Sequence, residues 1–245
     1  MTRLSLFAVL VVVLFAGTVA SAETYICPPC GAPCDSIKFA AAGVCPGCNM
    51  TLVAESQIRD VAIIVFEGVE LLDFTGPYEV FHGAGGLFRV STVANSTEMI
   101  SSNAGLEFKP SHSFANCPAP DIVIIPGGHV NAVIDDPAAM AFVKRALQSS
   151  EIVMSVCNGA RVLAELEALD GLTVTTHHGA IANLRSRAPK AIVVEDRRWV
   201  DNGKIITAAG VSSGIDATLH LIARLHGNDA AREVEEYLEY TRRGQ

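Results

Sequence analysis

The chain has 245 residues, a net charge of −8, 50% hydrophobic residues and only 18% charged ones. That length and apolar content allow one large domain plus a small extra. No basic patch stands out, which argues against a nucleic-acid partner, and the acidic balance argues against anionic lipid surfaces.

The first 22 residues read as a signal peptide. Arg3 supplies a minimal positive start, Leu6 to Ala16 is an unbroken apolar run, and Ala20-Ser21-Ala22 fits the small-x-small cleavage rule. Cleavage after Ala22 would start the mature chain at Glu23 and place it in the periplasm or outside the cell. The apolar run is shorter than the roughly 20 residues a spanning helix needs, although an uncleaved N-terminal anchor is the alternative.

Five cysteines follow: Cys27, Cys30, Cys34, Cys45 and Cys48. Cys27/Cys30 and Cys45/Cys48 are two C-x2-C pairs with 14 residues between them. Each such knuckle aims two sulfurs at one point, and two knuckles complete a tetrahedral zinc site. Residues 23–55 are too few for a core of their own and need a staple. That staple is zinc on Cys27, Cys30, Cys45 and Cys48, or disulfides if the exported chain is oxidised. Cys34 falls outside the four-ligand set, and a pairing with Cys117 is one option for it.

Beyond a polar linker, Ser56 to Asp60, the pattern changes. Val61 to Phe66 is a continuous apolar strand of the kind buried on both faces. Gly76-Pro77 opens a predicted helix through Phe81. Predicted strands follow at Phe88 to Val93 and Asp121 to Pro126, the latter ending at Gly127-Gly128. Pro137 to Leu147 reads as an amphipathic helix. Ile152 to Val156 is a strand, Ala160 to Leu169 a helix, and Cys157 lies at the turn between them. Leu172 to Thr176 and Ala191 to Glu195 are further predicted strands. Asp201-Asn202-Gly203 marks a hairpin within Trp199 to Ala208. Ile215 to Leu225 and Ala230 to Tyr240 read as closing helices. The alternation predicts a three-layer α/β fold, a mainly parallel sheet with helices on both faces, plus the small Cys-rich knuckle. The site of such a fold lies at the carboxyl ends of the strands.

Cys157 is the candidate nucleophile. A sharp strand-to-helix turn lifts its residue out of the sheet, and the helix N-terminus behind it favours a thiolate, so a lowered pKa is expected. The alternative is a small packed hydrophobe. Gly127 and Gly128 follow a strand, and their N–H groups with that of Asn158 are expected to form an oxyanion hole.

Five stretches carry a resemblance: V-F-E-G-V-E-L-L-D-F-T-G-P-Y-E-V-F, I-I-P-G-G, S-V-C-N-G-A, V-T-T-H-H and A-A-G-V-S-S-G-I-D. In this order they resemble the ThiJ/PfpI family of the class I glutamine-amidotransferase-like superfamily, and within it the isonitrile hydratase branch. The input domain of some AraC-type regulators is similar too. The resemblance implies a flavodoxin-like or amidotransferase-like fold from Val61 to about Tyr240, no cofactor in the α/β site, a small-molecule substrate and a homodimer. It also implies that Asp73 stands beside the cysteine as an acid–base group, where the alternative is a helix cap. His177 occupies the position of a histidine near the nucleophile, and Asn158 stands where related hydratases carry threonine. Asp216 is a further family position that a helix cap also explains. The leader separately resembles short heavy-metal-binding domains, with Asn49 replacing a glycine.

Three readings follow. The first is an exported cysteine-dependent hydratase or hydrolase acting on a small electrophilic carbon, with Cys157, Asp73 and His177 catalytic. The second is a non-enzymatic redox- or metal-responsive thiol protein. The third is a regulator-type ligand-binding domain, which the export signal and the missing DNA-reading part oppose.

Overall fold

The computed structural model describes residues 23–28 and 32–244. The expected signal peptide and Cys30 lie outside the described residues. A small antiparallel sheet opens the fold: β1 (Tyr25–Ile26) is flanked by β2 (Lys38–Phe39) and β3 (Val53–Ala54). The main unit then runs through β4 (Arg59–Ile64), α1 (Leu71–His82), β5 (Phe88–Ala94), a β6/β7 hairpin (Ile100–Ser101, Glu107–Phe108), β8 (His112–Ser113) and β9 (Ile122–Ile125). It continues with α2 (Asn131–Ile134), α3 (Pro137–Ser149), β10 (Ile152–Val156), α4 (Ala160–Glu165), β11 (Thr173–Val174) and α5 (Ile181–Arg187). It closes with β12 (Ile192–Val193), β13 (Trp199–Asp201), β14 (Ile205–Ala208), α6 (Ser213–His226) and α7 (Asn228–Tyr237).

Seven strands form the central sheet in the order β13-β14-β10-β9-β4-β5-β8. Every pair is parallel except the β13/β14 hairpin. Its middle strands are apolar on both faces because both are covered: every residue of β9 and β10 is buried. Helices α1, α6 and α7 pack together on one side, while α2 to α5 cover the other. The expected mainly parallel three-layer fold is therefore present.

Several boundaries move. Helix α1 starts at Leu71, well before the expected Gly76-Pro77 opening. Pro77 inside it forfeits one helical hydrogen bond, a cost of about 3 kcal/mol. Burial of Phe74, Val80 and Phe81 offsets this at roughly 2 kcal/mol per large apolar side chain. Helix α4 ends at Glu165 rather than Leu169, where Glu167 adopts φ 54°. Among the described residues, the short β11 and β12 pair with each other alone, off the main sheet. The Asp201-Asn202-Gly203 turn is as expected, with Gly203 at φ 84° and its N–H donating to Asp201 Oδ1 at 2.7 Å. Helix α3 begins as its sequence dictates, with Pro137 in its first turn and the Asp136 side chain accepting the Ala138 N–H at 2.8 Å.

Candidate functional site

The carboxyl ends of β4, β9, β10 and β14 meet in one place. The chain leaves β4 through Gly68 (φ 76°) and leaves β9 through Gly127 and Gly128 (φ 111°). A β-carbon on Gly128 would stand 2.4 Å from the Gly68 carbonyl oxygen and 2.5 Å from the Glu70 nitrogen. The two loops thus lie backbone against backbone, joined by the Glu70 N–H to the Gly127 carbonyl at 2.9 Å. That contact brings the first turn of α1, and Asp73 with it, over the end of β9.

Cys157 follows β10 at φ 57°, a left-handed conformation uncommon outside glycine. Gly159 lets the turn sit down on β9, since a β-carbon there would meet the Ile125 carbonyl at 2.2 Å. The Cys157 backbone is fixed from both sides: its N–H donates to Ala209 O at 2.8 Å, and its carbonyl accepts the Thr176 hydroxyl at 2.6 Å.

Asp73, Asn158 and Cys157 converge over Gly127. A β-carbon on Gly127 would lie 2.3 Å from Asn158 Oδ1, 2.7 Å from Asp73 Oδ2 and 2.9 Å from Cys157 Cβ. Asp73 Oδ2 accepts the Gly127 N–H at 2.9 Å. Asn158 holds Gly128 by both ends, accepting its N–H at 2.9 Å and donating to its carbonyl at 3.0 Å. The glycine N–H groups are therefore engaged by side chains. Of the expected oxyanion hole, the two glycine N–H groups are thus turned to Asp73 and Asn158, while the Asn158 N–H, together with that of Val211, favours the Cys157 thiolate.

The electrostatics also reverse one expectation. Cys157 is 9% exposed, and burial, followed by the Asp73 charge, pushes its thiol up to about 12 against the N–H groups of Asn158 and Val211. A short helix behind a single 3-10 turn does not overcome that desolvation. Asp73 is fully buried, and burial pushes its carboxyl up to about 7, with the Gly127 N–H opposing and the Glu70 charge adding. Its Oδ1 has no hydrogen-bond partner among the described residues. Asp73 is not a helix cap, since Glu70 holds the N-cap position of α1. Thr75 does not cap either, since its hydroxyl donates back to Leu71 O at 2.7 Å inside the helix.

No hydrogen bond links His177 to Cys157 among the described residues. His177 Nδ1 accepts the Gly179 N–H at 3.1 Å, and its ring lies against Gly210 and 4.1 Å from the His178 ring. Burial and the neighbouring His178 lower its pKa. His177 and His178 border a cleft of about 680 Å³, lined also by Thr176, Arg197, Arg198 and Gly210, with Cys157 outside its lining. The His129 ring packs over Gly68. Asp216 caps no helix end; it is fully buried in the first turn of α6.

Thr176, Val211 and Glu70 belong to the site without having been singled out. Only their positions at strand and loop ends could have signalled them.

In the leader, the sulfurs of Cys27, Cys34, Cys45 and Cys48 all lie within 4.8 Å of one another. Cys34 is thus part of the cluster, and Cys117 carries a free thiol, which corrects the expected Cys34–Cys117 pairing. Gly47 permits the closure, since its β-carbon position is 3.3 Å from Cys34 Cβ. Asn49 adopts φ 65°, a conformation asparagine tolerates. Four sulfurs at this spacing suit a tetrahedral ion with metal–sulfur bonds of about 2.3 Å.

The family profile described as DJ-1/PfpI family matches residues 59–224. The chain belongs to the DJ-1/PfpI family. Among relatives of this family, an isonitrile hydratase from Pseudomonas putida is 34% identical over 184 residues, 74% of this chain and 78% of that protein. The HTH-type transcriptional regulator GbdR of Pseudomonas aeruginosa is 26% identical over 64% of this chain, but the match spans only 42% of the regulator. The crystal structure of a ThiJ/PfpI family protein from Pseudomonas syringae superposes with a TM-score of 0.69 at 28% identity, covering 75% of each chain. Drosophila melanogaster DJ-1beta shares the DJ-1/PfpI fold at a TM-score of 0.68 and 22% identity, covering 75% of this chain and 99% of that one.

Proposed function

We propose that this protein is an exported, cysteine-dependent enzyme that adds water to a small electrophilic carbon, with isonitriles as the first substrate class to test. The observation that carries the reading is the convergence of Asp73, Cys157 and Asn158 on Gly127. A carboxyl group that titrates near neutrality can both accept and return a proton. Asp73 takes the thiol proton as sulfur bonds to the terminal isonitrile carbon, and the same proton is delivered to that carbon, giving a thioimidate. Water adds across the C=N bond, sulfur leaves and regains its proton, and an N-substituted formamide is released. The N–H groups of Asn158 and Val211 steady the sulfur when it carries charge. His177 serves as a wall of the cleft rather than as the proton acceptor. Asn158 in place of threonine alters substrate choice.

The leader is proposed to hold one structural zinc on Cys27, Cys34, Cys45 and Cys48. The precursor is proposed to be cleaved after Ala22 and the mature protein to pair as a homodimer. The test is turnover on a panel of isonitriles, amides and α-oxoaldehydes by wild type and Cys157→Ala. Loss of all turnover in the variant is expected, and full retained turnover overturns the reading. A second reading, a non-enzymatic metal-responsive thiol protein, is favoured by the four-sulfur cluster; stoichiometric metal uptake with no turnover on any of these substrates selects it.

A further inference from the structure

The loop from Ala209 to Ser213 links β14 to α6 and leans on Cys157. Ala209 O accepts the Cys157 N–H at 2.8 Å. Gly210 lies so close to His177 that a β-carbon there would come within 2.5 Å of the ring. Val211 sits at φ 34°, which a β-branched residue adopts only under constraint. Such strain persists where the surroundings over-determine it. The constraint is visible one layer out.

Arg198 grips the loop twice. Its carbonyl accepts the Ala209 N–H at 2.8 Å, and its Nη2 donates to Ser212 Oγ at 3.3 Å. The same guanidinium is held by Asp216, through Nε to Oδ2 at 2.6 Å and through Nη2. Asp216 is fully buried and its other oxygen is filled as well, by the Tyr240 hydroxyl at 3.0 Å and the Arg243 N–H at 2.8 Å. A buried carboxylate with both oxygens satisfied is a rigid fixture.

We propose that Arg198 and Asp216 are positioning residues for Cys157: together they clamp the Ala209–Ser213 loop closed over the thiol. Neither touches the sulfur, and both act through the loop. The inference rests on Cys157 being the working thiol.

The test is alkylation of the full-length protein with iodoacetamide between pH 7 and 9, read by peptide mass spectrometry at Cys157 and at Cys117. Cys117 is a half-buried free thiol near Asp60, at the opposite end of the sheet, and reports general loosening. In Asp216→Asn the Cys157 rate should rise about tenfold while that of Cys117 stays put, as expected for a local opening. Arg198→Lys keeps the charge but loses the fork, so it should give a smaller rise at Cys157 alone. An equal rise at both thiols, or no rise at Cys157, overturns the proposal. No substrate enters the assay, so its failure is distinct from the failure of the enzymatic reading, which Cys157→Ala turnover decides.

Discussion

Asp73 accepts the Gly127 backbone N–H through Oδ2 at 2.9 Å, which fixes a buried carboxyl beside the cysteine rather than in solvent. Burial pushes that carboxyl up to about 7. As the base that takes the thiol proton, it must be ionised. kcat/KM on an isonitrile should therefore climb with pH through about 7 rather than about 4, and Asp73→Asn should lower it by at least about 100-fold. An Asp73→Asn enzyme with the wild-type profile would rule the carboxyl out.

The same group sets a stability trend. Its folded-state pKa lies above the unfolded value of 3.8, so the folded protein binds more protons between the two. Its contribution is full below about pH 4 and is lost as pH rises through about 7, at most about 4 kcal/mol at roughly 1.4 kcal/mol per pH unit. Asp73→Asn should lack this fall, and urea unfolding of both proteins at pH 5 and pH 8 measures the difference.

Gly127 has no room for a side chain. Gly127→Ala would drive a methyl group into Asn158 Oδ1, Asp73 Oδ2 and Cys157 Cβ at once. The expected loss is at least about 100-fold in kcat/KM, since small displacements of reacting groups cost that much, together with about 1–3 kcal/mol of stability from overpacking. Activity near wild type would mean that the convergence over Gly127 is incidental.

Asn158 holds both polar groups of Gly128. Asn158→Ala should cost about 1–3 kcal/mol through the two lost hydrogen bonds. Asn158→Thr, the change the resemblance to hydratases implies, should raise isonitrile turnover relative to amide turnover. A panel assay in which the ratio stays fixed would leave substrate choice to other positions.

Cys34 stands within the sulfur cluster. Cys34→Ser should lower the zinc bound per chain and loosen the leader, whereas Cys117→Ser should change neither. Elemental analysis with limited proteolysis of residues 23–58 reads both. Zinc content unchanged in Cys34→Ser would return the fourth ligand to another thiol.

The central strands, the Cys157 turn and the glycine pair were legible because each is written locally, in apolar runs bounded by small residues. Asp73 was reachable through the resemblance, which ties its loop to the cysteine. The sign of the Cys157 shift was not legible, because the helix behind it is local whereas the desolvation that outweighs it comes from the whole fold. The Nδ1 of His177 accepts the N–H of Gly179, two residues away, a contact no spacing announces. Cys34 joined the cluster through the approach of Gly47, and Asp216 became a clamp through Arg198, Tyr240 and Arg243, partners brought in from distant stretches.

The central sheet ends on one side in β8, only two residues long, and on the other in the three-residue β13, whose Asp201 is tied to His220 and Arg224 at 2.8 Å. Short, charge-tied rims offer little template for a foreign strand. The many apolar residues of this chain are thus kept inside a sheet that has almost no open border along which to stack into fibrils.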